Sequence, residues 1–243
     1  MIQLNNGDAL AEIVPERGAI CSRLVLANSE VLFLDPATLA DPAKNVRGGI
    51  PVLFPVAGKP AQGPQHGFAR NLPWEARREG AHRLVCTLEQ PGFTAQLAFE
   101  LGASSLQLDF TLLNRGDAPY PFHLGFHPYF LVPDKAAARV ETQATRAFDN
   151  TKGTTGPAPE LDFTQGEVDL HLLDHGQSGT TLLRPPLPPL RLSWSPEFRV
   201  MVLWTLPGRE FICVEPWTGR PDAPKLETAP GQATRLGFAI SCP

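Results

Sequence analysis

Thr94-Ala95-Gln96-Leu97-Ala98-Phe99-Glu100-Leu101-Gly102-Ala103-Ser104-Ser105-Leu106-Gln107-Leu108-Asp109-Phe110-Thr111-Leu112-Leu113-Asn114 decides the fold class of this chain. Apolar and polar residues alternate on both arms, the period of a strand with one buried face. Gly102-Ala103-Ser104 sits between the arms where the chain must reverse, so the stretch predicts an antiparallel hairpin. The same short apolar or alternating runs, broken by Gly, Pro, Asn and Asp, recur on both sides of it. They predict strands at Ala9–Val14, Ala19–Leu26, Val31–Phe33, Arg83–Glu89, Tyr120–Val132, Ala138–Thr142, Leu190–Trp194, Val200–Leu206, Glu210–Val214 and Thr234–Ile240. Only Pro36–Lys44 and a stretch near Glu167–Leu173 offer a helix, and residues 140–179, rich in Thr, Gly, Asp and Pro, predict long loops. Without a repeat or a linker, residues 1–243 read as a single all-β domain, a large antiparallel β-sandwich.

Composition narrows the function. A net charge of −4 over 243 residues, with no basic block, argues against nucleic acid and anionic membranes as partners. No run approaches the roughly 18 apolar residues of a membrane span. The start, Met1-Ile2-Gln3-Leu4-Asn5-Asn6, lacks the basic and apolar regions of a signal peptide, which makes the cytoplasm the expected location. Cys21, Cys86, Cys213 and Cys242 are scattered without a CxxC pair, three of them inside apolar runs, and read as small buried hydrophobes.

Four segments carry chemistry. Phe122-His123-Leu124-Gly125-Phe126-His127-Pro128-Tyr129-Phe130 places two histidines four residues apart, so strand parity puts 123, 125 and 127 on one face. A face with imidazoles among aromatics suits the floor of a polar pocket; a core histidine bonded to backbone is the bland alternative. Asn45-Val46-Arg47-Gly48-Gly49-Ile50-Pro51 sets a guanidinium beside two glycines that let a backbone approach a ligand closely. Gln65-His66-Gly67-Phe68-Ala69-Arg70 follows a Gly/Pro-rich loop and mixes apolar rings with hydrogen-bonding groups, a combination suited to sugars. Phe211-Ile212-Cys213-Val214-Glu215-Pro216-Trp217 ends an apolar strand on a carboxylate, whose partial burial would raise its pKa toward general-base values. Asp169, Asp174, His82, His171 and His175 read as solvated loop residues.

Arg47-Gly48-Gly49-Ile50-Pro51, His66-Gly67-Phe68-Ala69-Arg70, His127-Pro128-Tyr129-Phe130 and Glu215-Pro216-Trp217, in this order, resemble the aldose 1-epimerase (galactose mutarotase-like) family. The likeness spans about residues 45 to 225 and extends into Thr218-Gly219-Arg220-Pro221-Asp222-Ala223-Pro224. It implies a β-supersandwich with an open groove for a sugar. It implies Glu215 as general base and His127 as general acid, with Arg47, His66 and Trp217 as sugar contacts. The family's binding aspartate falls on Asp174, although Gln177 stands where its motif has Phe, and Asp169 is the rival. His-Gly-Phe-Ala-Arg also resembles the hexose-6-phosphate 1-epimerase branch, in which Arg70, with Arg47 and Lys59, would hold a phosphate.

The implied reaction is interconversion of α and β anomers by acid/base ring opening, with no cofactor or metal and a small-molecule sugar as partner of a monomer or homodimer. A carboxylate beside His127 would favour the imidazolium over an isolated ring of pKa about 6.5. His123 takes a supporting place. The competing classes are a non-catalytic carbohydrate-binding protein, a glycoside hydrolase, which needs two flanking carboxylates, and a metal enzyme built from His66, His123 and His127.

Overall fold

A computed structural model describes residues 1–243. The hairpin forms as its alternation requires: Phe93–Leu101 and Ser105–Asn114 pair antiparallel, with Thr94 opposite Leu113 and Leu101 opposite Leu106. Leu106, Leu108, Phe110 and Leu112 are buried, while Gln107, Asp109 and Thr111 between them stay partly exposed. The Gly102 N–H closes the reversal by donating to the Ser105 carbonyl at 2.8 Å.

These strands lie within an eight-stranded sheet ordered Arg139–Val140, Gly179–Arg184, Leu187–Trp194, Ala233–Ser241, Ser105–Asn114, Phe93–Leu101, Arg83–Gln90 and Glu75–Arg78. A second eight-stranded sheet runs Thr154–Pro157, Arg146–Asp149, Val168–Leu172, Val200–Thr205, Phe211–Trp217, Gly125–Phe126 and Val52–Leu53, with Tyr129–Leu131 also paired to Phe211–Trp217. Neighbouring strands in both run antiparallel. The all-β expectation holds. Phe126 of the second sheet stacks on Phe238 of the first with ring centroids 5.4 Å apart, inside a cluster of 51 buried apolar residues that joins the two. Each such fully buried ring contributes about 1.5–3 kcal/mol. A four-stranded sheet from Ile2–Asn6, Ala9–Val14, Ile20–Leu26 and Ser29–Glu30 packs into the same core, and Tyr120–Phe122 pairs with Leu226–Thr228.

Several expectations change. Val168–Leu172 is a strand, not a helix: its alternation sends Leu170 and Leu172 into the core and leaves Asp169 and His171 on the opposite face. With Arg146–Asp149 and Thr154–Pro157 it gives order to a region read as long loops. The run from Tyr120 to Val132 is three short strands, because its partners change: His123 N–H donates to the Pro55 carbonyl and His127 N–H to the Pro51 carbonyl. The helix at Pro36 keeps its start, where the Asp35 carboxylate accepts from the Ala37 N–H at 3.1 Å, but stops at Ala40, short of Lys44. Pro42 disfavours helical backbone at Asp41, which is extended. The four cysteines are free and buried, and no helix is long and apolar enough to cross a membrane.

Candidate active site

Strand register assembles the floor of a cleft of about 690 Å³ on the outer face of the second sheet. On Phe211–Trp217, Ile212 and Val214 enter the core, so Cys213, Glu215 and Trp217 share the other face. Glu215 lies opposite Val202, which lies opposite His171; Cys213 lies opposite Trp204 and Tyr129, and Trp204 lies opposite Asp169. Two rows of side chains therefore cross the sheet side by side. Trp217 faces Gly125, where a Cβ would stand 2.7 Å from its Cδ1. Glycine at 125 is what lets the indole lie flat enough to reach back to Glu215. Its Nε1–H donates to Glu215 Oε2 at 3.0 Å, with both residues almost fully buried.

Glu215 Oε1 is 3.3 Å from Nδ1 of His127, close but not aligned as a hydrogen bond. The His127 ring stacks on Tyr129 at 4.7 Å between centroids and meets His66 and Trp204 edgewise. Burial holds its pKa well below the ordinary imidazole value, helped by His66 and Arg70 nearby. Burial likewise pushes Glu215 well above the usual carboxylate range, and Asp169 adds to this, against the Trp217 N–H and Arg70. The expectation that a neighbouring carboxylate favours imidazolium at His127 is not met: burial, His66 and Arg70 all act against the charged ring. Burial thus favours the uncharged form of each partner.

Loops from the far side complete the wall. Arg47 lies with its guanidinium carbon 5.6 Å from the Trp204 ring centroid. Gly48 and Gly49 have φ of +134° and +65°, and a Cβ on either would come within 2.5 Å of neighbouring backbone, so only glycine passes there. His66 has φ +65° and is held by Gly58 through two bonds: its N–H donates to the Gly58 carbonyl at 2.7 Å and its Nδ1 accepts from the Gly58 N–H at 3.0 Å. A neutral ring with Nδ1 accepting carries its proton on Nε2. Burial first, then Arg70, lowers the His66 pKa to about 3, so the ring is neutral at pH 7. Arg70 donates from Nη2 to the Gln65 carbonyl, while its Nε is buried without a partner.

Of the residues singled out in the sequence, Arg47, His66, Arg70, His127, Glu215 and Trp217 all line the cleft, as does Lys59. Asp174 does not: its carboxylate accepts from the Thr145 and Arg146 N–H groups and the Thr145 hydroxyl, tying down an exposed turn. Asp169 lines the cleft instead, accepting from Asn150 Nδ2 at 2.7 Å and lying 3.4 Å from His171 Nε2. His123 stands outside the cleft, packed where a Cβ on Gly219 would come 2.8 Å from its Cε1. The break between Phe122 and Gly125 removes the parity that joined it to His127, and with it the three-histidine metal set. His171, read as solvated, is instead buried on the cleft floor, and Trp204, Phe148 and Arg220 line the cleft with it; His175, read the same way, is buried outside it. The alternation of Val168–Leu172, read as strand, would have found Asp169 and His171 together.

The family model described as Aldose 1-epimerase matches residues 1–241. A protein of Cenchrus ciliaris named "Putative glucose-6-phosphate 1-epimerase" is 26% identical over 268 residues, covering 95% of this chain and 80% of that protein. An Escherichia coli protein of the same name is 34% identical over 138 residues, 49% of this chain and 44% of that one. Among solved structures, the Slr1438 protein from Synechocystis matches with a TM-score of 0.93 at 28% identity, over 99% of this chain and 94% of that chain. A galactose mutarotase-like protein from Lactobacillus casei shares the fold, with a TM-score of 0.81 at 24% identity over 99% of both chains.

Proposed function

This chain belongs to the aldose 1-epimerase family, and from that membership we propose that its cleft interconverts the α and β anomers of a hexose through Glu215 and His127. Membership makes the chain an isomerase. Anomerisation breaks the bond between C1 and the ring oxygen, turns C1 about C1–C2, and recloses the ring. One proton must leave the C1 hydroxyl and one must reach the ring oxygen. Both oxygens sit on one carbon, so an acid and a base side by side are sufficient. The observation that carries the reading is the 3.3 Å approach of His127 Nδ1 to Glu215 Oε1 on the cleft floor.

The pair holds one mobile proton. Carboxyl plus imidazole and carboxylate plus imidazolium are two arrangements of that proton, and the Trp217 N–H and Arg70 favour the carboxylate. In the second arrangement Glu215 takes the C1 hydroxyl proton while His127 protonates the departing ring oxygen. Ring closure runs the same transfers backward and returns the pair to its starting state. Such general acid/base partners typically contribute about 10²–10⁴ in rate each. Arg47, His66, Asp169 and Trp217 are read as sugar contacts.

A 6-phosphorylated hexose is the second reading. Arg47, Lys59, Arg70 and Arg220 on the cleft wall favour it, as do the names of the curated relatives. One coupled assay of freshly dissolved glucose, galactose and glucose 6-phosphate tests both. The expected result is faster mutarotation of at least one sugar, with the higher kcat/KM on glucose 6-phosphate if the wall holds a phosphate. Binding of all three without acceleration would make the chain a carbohydrate-binding protein instead.

A further inference from the structure

One buried nucleophile on the cleft face has no task in this chemistry. Cys213 precedes Glu215 by two residues on the same strand face and is fully buried between Trp204 and Tyr129. Burial keeps its thiol protonated and uncharged, so it takes no part in proton transfer. Its Sγ, a nitrogen of His127 and a carboxylate oxygen of Glu215 all lie within 4.8 Å of one another. His127 Nδ1, on a side chain 9% exposed, has no hydrogen-bond partner and lies 3.3 Å from Glu215 Oε1.

These are thiolate, imidazole and carboxylate donors, the mixture that zinc accepts in sites with three protein ligands and one open position. Metal–N and metal–O bonds of about 2.0–2.2 Å in a tetrahedron place neighbouring donors about 3.3–3.5 Å apart. The observed 3.3 Å between Nδ1 and Oε1 already meets that spacing. A sulfur about 2.3 Å from the metal sits about 3.6 Å from the other donors. Sγ therefore has to close by no more than about 1.2 Å from the 4.8 Å limit, within reach of a side-chain rotation. Two anionic ligands also neutralise a divalent cation, the charge balance a buried site requires.

We propose that His127, Cys213 and Glu215 form a binding site for a thiophilic divalent cation such as zinc or cadmium, and that occupancy inhibits the enzyme by tying up its acid and base together. Metal–sulfur, metal–nitrogen and metal–oxygen bonds form, the thiol and carboxyl protons pass to the solvent buffer, and nothing is oxidised or reduced. The soft thiolate selects against magnesium and calcium. Binding stands on the geometry of the three donors; only the inhibition rests on the acid/base reading above.

The test titrates the full chain with cadmium chloride, following the ultraviolet thiolate-to-cadmium charge-transfer band and the mutarotation rate together, and repeats the rate measurement with zinc and magnesium chlorides. The expected result is one equivalent bound, a rate that falls in parallel and recovers with a chelator, and no effect of magnesium. Cys213→Ser is expected to keep its metal-free rate, lose the band and require at least about tenfold more zinc for inhibition. Glu215→Gln, read by the band alone, is expected to bind cadmium at least about tenfold more weakly, which keeps the test open should Cys213→Ser fail to fold. No band in the wild-type chain, an equal band in Cys213→Ser, or unchanged affinity in Glu215→Gln overturns the site. One equivalent bound with an undiminished rate leaves the site and overturns the inhibition, together with the roles assigned to Glu215 and His127.

Discussion

Trp217→Phe isolates the part of the site that adjusts the base. The substitution keeps an aromatic ring against His66 and His171 but deletes the N–H that donates to Glu215 Oε2 at 3.0 Å. Glu215 is 1% exposed, so water does not replace the lost donor. A hydrogen bond to a charged group is worth about 1.5–3 kcal/mol, and one pKa unit corresponds to about 1.4 kcal/mol. The carboxylate form should therefore become roughly ten- to a hundredfold scarcer, with the Glu215 pKa raised by a further unit or two. Only the carboxylate–imidazolium arrangement opens the ring, so kcat at pH 7 is expected to fall by roughly the same factor. The alkaline limb of the kcat profile is expected to move up by about one to two pH units. Sugar binding should change little. Polarimetry over a pH series, with thermal unfolding as a control for folding, reads all of this. A kcat within about twofold of wild type, with the alkaline limb unmoved, would refute the idea that the indole N–H supports the base.

Four further outcomes follow from the same geometry. The acid limb of the kcat profile should lie below the ordinary imidazole value of about 6.5, because burial holds His127 low, and its alkaline limb above the usual carboxylate range, because burial holds Glu215 high. An acid limb at or above about 6.5, or an alkaline limb within the usual carboxylate range, would contradict this. His66 has a folded pKa of about 3 against about 6.5 unfolded, so the unfolded chain binds more protons between these values and stability is lost as pH falls through that window. Urea unfolding should show His66→Gln losing about 2–3 kcal/mol less than wild type between pH 7 and pH 4.5, and equal losses would sink the assignment. Asp169→Asn should raise KM roughly tenfold, the equivalent of one lost contact of about 1.4 kcal/mol. Asp174→Asn should leave kcat/KM unchanged, because its carboxylate binds the Thr145 turn; steady-state kinetics on both variants distinguishes them.

Legibility in the sequence followed the reach of local physics. The Thr94–Asn114 hairpin was readable because alternation and the Gly102 bend lie within one contiguous stretch and agree with each other. Gly48, Gly49 and Gly67 mark loops whose backbones approach neighbours too closely for a side chain, so the loops around Arg47 and His66 announce themselves. The error at Val168–Leu172 arose because only three of five residues are apolar and polar loops surround it, although the period of two was present. His123 misled because parity extends only as far as a strand does, and the change of partners at Pro55 and Pro51 is a long-range fact. The same limit applies to the Glu215–His127 contact. Two residues 88 positions apart in the sequence meet through the pairing of Gly125 with Trp217 and Tyr129 with Cys213, and no local pattern encodes that register. Nor does residue type reveal that burial, rather than mutual attraction, sets the protonation of the pair.

The central claim is that Glu215 and His127 together move the proton that opens the ring. Exchange spectroscopy by NMR, which reads anomer interconversion at equilibrium, should be run on wild type, Glu215→Gln and His127→Asn with the best sugar of the coupled assay. Sugar affinity should be measured on the same samples. The expected result is exchange reduced by about 10² or more in each variant, with sugar still bound. Full exchange in either variant would contradict the assignment.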